Sequence, residues 1–278
     1  MGELEMLACG YGLLEGPRAD DKGNLYFSDV PNGGVFRRSP DGTIETVIPK
    51  RRGIGGIAFH ASGGLVVGGR DVSHVRDGVS RVLFALDGGG PNDLFTDAAG
   101  RVIFGSLRAN PMATTGANVP GECWRINAEG VAEQLYDGVL VSNGIGFSPD
   151  GSVLYHSDTA THGVWAHDYS STGSVSGRRL LVKRRDLMSD GLAVDEAGTV
   201  WLADVSGSAS VRGFSPSGEE VGRIAVPAKM VTSLCFGGAD RRDLYIVTAD
   251  NTDDPARKGS IFRTRADVAG CAVTPVSI

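Results

Sequence analysis

Short apolar runs recur down the chain, each opened by a polar or small residue and closed by a tight turn. The stretch Val141-Ser142-Asn143-Gly144-Ile145-Gly146-Phe147-Ser148-Pro149-Asp150-Gly151 shows the form. Runs of the same phase begin at Glu15, Gly55, Asn92, Asp190 and Thr232, and all but the last meet a glycine eight residues on, at Gly23, Gly63, Gly100, Gly151 and Gly198. After each turn comes a second run, such as Leu25-Tyr26-Phe27 or Val200-Trp201-Leu202. A third follows in several units, as in Val35-Phe36-Arg37-Arg38, and then a fourth, as in Thr43-Ile44-Glu45-Thr46-Val47. Apolar and aromatic runs bounded by Gly, Asp and Ser signal strands and hairpins. The opening residues lie 40, 37, 51, 47 and 42 positions apart, and a period of about 40 to 50 residues marks a propeller. No stretch shows a capped 3.6-residue apolar period, so helix is minor. The pattern predicts an all-β fold: a six-bladed β-propeller with four-stranded blades around a central channel, residues 1–278 forming one domain. Its ring strands start near 15, 55, 92, 143, 190 and 232, and the ends, Leu4 to Cys9 and Ser260 to Arg263, pair to close the last blade.

In such a fold the innermost strands line the channel, so their first residues face one another near its mouth. Glu15, Asn92, Asn143 and Asp190 bring two carboxylates and two amides to that ring. These oxygens suit hard divalent cations, and two carboxylates balance one dication. Asp, Asn and Gly also serve as plain turn formers. Glu15 is not one, and carboxylates confined in a narrow channel repel unless a cation or proton lies between them.

Composition narrows the partners. With 41 glycines in 278 residues the chain needs many turns, and a formal net charge of −6 offers no basic footprint for nucleic acid. No window nears the roughly 18 apolar residues of a membrane span, and the acidic start, Met1-Gly2-Glu3-Leu4-Glu5, is unlike a secretory signal. A cytoplasmic protein with no membrane partner is expected. Cys9, Cys123, Cys235 and Cys271 lack metal or disulfide spacing, so they are expected to be free and mostly buried. The histidines show no zinc-ligand spacing, and no serine-hydrolase or P-loop motif is present. Asp29, Asp158 and Asp204 recur after the second strands of blades one, four and five, which predicts a shared task of accepting backbone N–H bonds in the next turn. Longer interruptions fall at Gly68 to Val79 and Leu107 to Gly121, and the second is a candidate cover for the channel. Cys123 follows it directly and is placed, with Asn92 and Asp93, among candidate substrate contacts.

Glu15-Gly16-Pro17, Asn92-Asp93, Ser142-Asn143-Gly144-Ile145, Ser189-Asp190-Gly191 and the late Gly259-Ser260-Ile261-Phe262-Arg263 together resemble the motif set of the gluconolactonase, regucalcin and luciferin-regenerating enzyme family, in order across the chain. The resemblance implies one divalent metal (Ca²⁺, Zn²⁺, Mn²⁺, Mg²⁺ or Fe²⁺) on Glu15, Asn143 and Asp190, with Asn92 a further ligand or a substrate contact. It implies a lactonase acting on a small-molecule substrate, the metal polarising the carbonyl while the catalytic Asp190 positions or deprotonates water. Gly90 stands where sugar-lactone members tend to carry an arginine, so the expected substrate is a sugar lactone or a smaller or more apolar lactone or ester. Competing readings are a non-catalytic metal- or ligand-binding propeller and a phosphotriester hydrolase using the same metal.

Overall fold

The computed structural model describes residues 1–109, 119–249 and 259–278. Within them, strands β1 to β24 form six four-stranded antiparallel sheets, the blades of a propeller. The first blade takes β2 (Leu14–Ala19), β3 (Leu25–Asp29), β4 (Val35–Arg38) and β5 (Ile44–Ile48) from the channel outward. Blades two to five repeat this order, with inner strands β6 (Ile57–Phe59), β10 (Gly90–Thr96), β14 (Ser142–Phe147) and β18 (Ser189–Val194). The sixth blade is built from both ends of the chain: β22 (Val231–Gly237) is innermost, and β1 (Glu5–Tyr11) pairs outermost with β24 (Gly259–Arg265), matching Glu5 to Arg263 and Cys9 to Ser260. Pairing the chain ends in one sheet leaves no blade open toward its neighbours.

The core lies between blades. Phe27, Phe104 and Phe214 are fully buried in the seams, each such side chain contributing about 1.5–3 kcal/mol. The inner strands read as short apolar runs because both their faces are covered; Ser189–Val194 is buried at five of six positions. Among the described residues helix is confined to one 3-10 turn, Thr159–Thr161. The interruption expected from Gly68 to Val79 instead contains a regular strand, β8 (Val72–Arg76), hidden because its polar Ser73, His74 and Arg76 break the apolar run. The candidate cover Leu107 to Gly121 falls largely outside the described residues.

Every inner strand runs from the ring toward the opposite mouth, where the C-terminal segment crosses. Cys271 N–H donates to Val194 O (3.0 Å), Thr96 Oγ1 to Thr274 O (2.5 Å) and Val276 N–H to Phe59 O (2.7 Å). Beneath it lies a cavity of about 740 Å³ lined by Arg18, Phe59, Phe95, Phe147 and Phe236. The two ends of the channel therefore differ: oxygen donors at one, aromatic rings at the other.

Candidate functional site

Glu15, Asn143, Asp190 and Thr232 are each the second residue of their inner strand and Asn92 the third, while Gly55 precedes β6. At the ring position the pairing slips between Glu15 and Arg18, Pro91 and Leu94, Ser142 and Ile145, Ser189 and Leu192, and Val231 and Ser233. Such bulges twist a strand and re-aim the side chain at that point, which turns the ring residues into the channel. The glycine that follows three of them answers to a close neighbour. A methyl group on Gly144 would lie 2.7 Å from Gly191 C and 2.8 Å from Asp190 O, on the next blade's inner strand.

Glu15, Asp93 and Asp190 are brought near one another. Burial pushes the Glu15 carboxyl well above its usual range, with Asp190 and then Asp93 adding repulsion. Asp190 is raised for the same reasons, burial first and Asp93 second. Asp93 rises to about 6 through burial, against the opposing pull of Arg18. Arg18 reaches from blade one to blade three: its Nη2 donates to Leu94 O (3.0 Å) and lies 3.9 Å from Asp93 Oδ1, while its face sits over the Phe95 ring at 5.2 Å. Asp93 is only 8% exposed, so it forms the floor of the site together with Arg18.

The amides are held in one orientation. Thr159 Oγ1 donates its single proton to Ser189 O (2.6 Å), so it must accept from Asn143, which fixes Asn143 Nδ2 on it (2.7 Å) and turns Oδ1 the other way. Asn92 Nδ2 donates to Ser142 O (2.8 Å) and Asn143 Oδ1 (2.7 Å). Asn92 Oδ1 then packs on Gly55, where a side chain would displace it. This explains the one ring position without a side chain. Thr232 does not join the ring chemistry, because its hydroxyl is bound to Leu14 O (2.5 Å) and Val247 O (3.1 Å).

Among the described residues no group of three or more His, Cys, Asp or Glu is arranged to hold a metal by itself. The donor set is instead two buried carboxylates of raised pKa and two oriented amides. That set fits a hard dication, since among the described residues no positive charge matches both carboxylates, and carboxylate and amide oxygens are its preferred donors.

Next to Asn92 a cleft of about 350 Å³ is walled by backbone at Gly53, Gly69, Gly89 and Gly90, with Arg108 at its edge. A side chain at Gly90 would strike Gly69 O. Arg108 is held by Glu122 (Nε to Oε2 3.0 Å) and by the carbonyls of Asp87 and Gly88 (2.8 Å each). The sequence does not single out Arg108, Thr159 or Arg18, although Arg18 directly follows the Glu15 motif and Arg108 falls at the start of the candidate cover.

Cys123 is not at the ring. It is 0% exposed, and burial pushes its thiol up to about 12. Of the other cysteines Cys235 is buried, Cys271 partly so and Cys9 exposed, so the expectation of mostly buried thiols holds for only half of them. Asp29, Asp158 and Asp204 do share a task, and it is wider than expected. They accept N–H bonds from residues before the ring strand, Gly12, Val141 and Met188, as well as from the following turn, as Asp204 does from Ser206. His74 and His60 stack 4.0 Å apart beside the C-terminus, and His162 Nδ1 bonds Leu187 O.

The fold and site together define a six-bladed propeller with an acidic, amide-bearing channel mouth. Residues 13–250 match the SMP-30/Gluconolactonase/LRE-like region, and the chain belongs to that family. It is 32% identical over 263 residues to the 6-deoxy-6-sulfogluconolactonase of Pseudomonas putida, covering 89% of each chain. It is also 32% identical to pentonolactonase XacC of Haloferax volcanii, covering 93% of this chain and 88% of that one. In three dimensions it is similar to a calcium-binding protein, regucalcin, from Agrobacterium tumefaciens, with a TM-score of 0.85 over 100% of this chain and 98% of the other at 21% identity. No helix among the described residues is long and apolar enough to cross a membrane.

Proposed function

We propose that this protein hydrolyses a lactone at the ring end of the channel, using a divalent cation held by Glu15, Asn143 and Asp190. The observation that carries the reading is the pair of buried carboxylates, both raised in pKa, beside amides whose orientation is fixed by the Thr159 hydroxyl and the Ser142 carbonyl. Relatives that act on gluconolactone-type and pentonolactone substrates support the reaction class. When bound, the cation supplies Lewis acidity toward the lactone carbonyl. Asp190, fixed by the bulge in β18, accepts the proton of the attacking water at a carboxylate oxygen. Asn92 holds the substrate edge that enters the backbone-walled cleft, and the Arg18–Asp93 floor closes the site to water from below. A cleft of about 350 Å³ lined by glycines suits a compact lactone and offers few side-chain donors to a polyhydroxylated one.

The test strips the protein with a chelator, restores Ca²⁺, Zn²⁺, Mn²⁺, Mg²⁺ or Fe²⁺ singly, and follows acid release from sugar lactones, alkyl lactones, an aryl ester and a phosphotriester. Turnover of lactones that returns with metal and is lost in Asp190→Ala and Glu15→Ala is expected. Metal-induced thermal stabilisation without turnover of any substrate would assign a binding propeller, and unaltered metal binding in both variants would remove the proposed ligands.

A further inference from the structure

The seam between blades three and four contains a buried polar chain that the reaction does not use. Ser142 Oγ lies 2.7 Å from His156 Nε2, and His156 Nδ1 lies 2.8 Å from the hydroxyl of Tyr136, which also contacts the Cys123 thiol. Ser142 and His156 are both 0% exposed. Burial, then the neighbouring His167, holds His156 neutral, its pKa lowered to about 3. The arrangement superficially matches a Ser–His catalytic pair, but no substrate can reach a hydroxyl closed on all sides.

The fold does not require polar groups there. The residue just before the ring is Leu14 in blade one, Ile54 in blade two and Val231 in blade six, each fully buried. Burying Ser and His in the same place costs desolvation that only their mutual bonds offset. Space is also set aside for them: a methyl on Gly105 would fall on the Ser142 hydroxyl, 2.9 Å from Ser142 Cβ and 3.0 Å from His156 Nε2. Ser142 in turn touches the ring twice. Its carbonyl accepts from Asn92 Nδ2 at 2.8 Å, and its chain neighbour is Asn143. Asn92 cannot relocate this bond, because Gly55 packs against its other end.

We infer that Ser142, His156 and Tyr136 are positioning residues: their chain anchors the bulged strand at Ser142 so that the Asn92 and Asn143 amides present their oxygens to the ring. An apolar residue at Ser142 would pack as Leu14 does and leave the bulge free to shift. The inference rests on the proposed cation site for its functional consequence, while its geometric claim stands apart from it.

The experiment compares the parent with Ser142→Ala/His156→Leu, which removes both partners together, while the buried Tyr136 hydroxyl keeps its hydrogen bond with Cys123. Mn²⁺ affinity is read by electron paramagnetic resonance of free Mn²⁺, and the Asn92 and Asn143 side-chain amides by ¹H–¹⁵N spectra without metal. The double variant should keep its Tm within about 3 °C of the parent, bind Mn²⁺ about 10-fold more weakly, and show both amide signals displaced. Glu15→Ala in the same titration tests the cation site itself. If the parent binds no Mn²⁺, that site fails and the amide spectra alone decide the positioning claim. Amide signals unmoved in the folded double variant overturn it, whatever the Mn²⁺ result. Should the double variant not fold, Tyr136→Phe breaks the chain at its outer end; amide signals and Mn²⁺ affinity both at parental values there would overturn the inference equally.

Discussion

Gly144→Ala is the sharpest single test of how the blades hold the ring. The added methyl would meet Gly191 C at 2.7 Å and Asp190 O at 2.8 Å, with Leu192 N nearer still. All three are backbone atoms, so no rotamer change relieves them, and the inner strands of blades four and five must separate by about 1 Å at the nearest of them to restore ordinary contact. Overpacking of this kind costs about 2–3 kcal/mol, which for a chain of this size lowers Tm by roughly 4–12 °C. The displaced atoms include the Asp190 carbonyl, so activity should fall further than stability, by up to about 100-fold for a shift near 1 Å. Gly151→Ala is the control. Gly151 has φ of +70° and nothing within 4 Å of the position a methyl would take, so it should lose about 1 kcal/mol from backbone strain and no activity. Calorimetry and lactone hydrolysis on both variants decide the matter. A Gly144→Ala protein with parental Tm and parental turnover would show that the inner strands do not pack as described.

Three further outcomes follow from the site. Because burial and mutual repulsion raise the Glu15 and Asp190 carboxyls, these groups oppose folding of the metal-free protein as pH rises above the unfolded value; Glu15→Gln should therefore raise its Tm at pH 8, with the gain shrinking toward pH 4, and should lose the Tm rise on adding Mn²⁺. A Glu15→Gln protein less stable than the parent at pH 8 without metal would contradict this. His156, lowered to about 3, has the opposite sign: stability is full above the unfolded value near 6.5 and falls as pH drops, by about 2 kcal/mol at pH 5, a loss that urea titrations should find in the parent and not in Ser142→Ala/His156→Leu. Thr159→Val removes the acceptor that orients Asn143 and should weaken Mn²⁺ binding about 10-fold, whereas Thr159→Ser should restore it; equal affinities in the two variants would show that the amide is oriented otherwise.

Much of this architecture was legible because it rests on local signals repeated six times. The opening residue, the turn eight positions on and the paired ends recur in order, and the sheets follow them, down to the closure of blade six by Leu4 to Cys9. What escaped notice depends on contacts between strands of one blade or between blades. Arg18 looks like one more polar residue of an inner strand until the fold carries it across to Leu94 and Asp93. Ser142 and His156 lie fourteen residues apart and meet only because β14 and β15 (Val153–Asp158) pair. Gly55, the ring position without a side chain, gives in space the room taken by Asn92. The strand β8 was missed for a different reason, since its polar residues hid a pattern that pairing alone completes.

The charge of the site follows from which carboxylates already have a partner. Three converge, and among the described residues Arg18 is the one cation that reaches them. Arg18 lies 3.9 Å from Asp93 and is the first influence drawing that carboxyl down, whereas for Glu15 it is the weakest of the causes and for Asp190 it is not among them. Arg18 thus compensates Asp93 and leaves Glu15 and Asp190 as two uncompensated negative charges in a closed space. A monovalent ion would leave one buried charge unbalanced, and protonation of one carboxyl would silence either a donor or the base. A dication neutralises both while the two amides, which carry no charge, complete the oxygen set without altering the balance. If the proposed cation site holds, the fifth-blade and first-blade carboxylates would set the charge of the ion it takes, the third- and fourth-blade amides would set its geometry, and Arg18 would keep the third carboxylate from drawing it deeper into the channel.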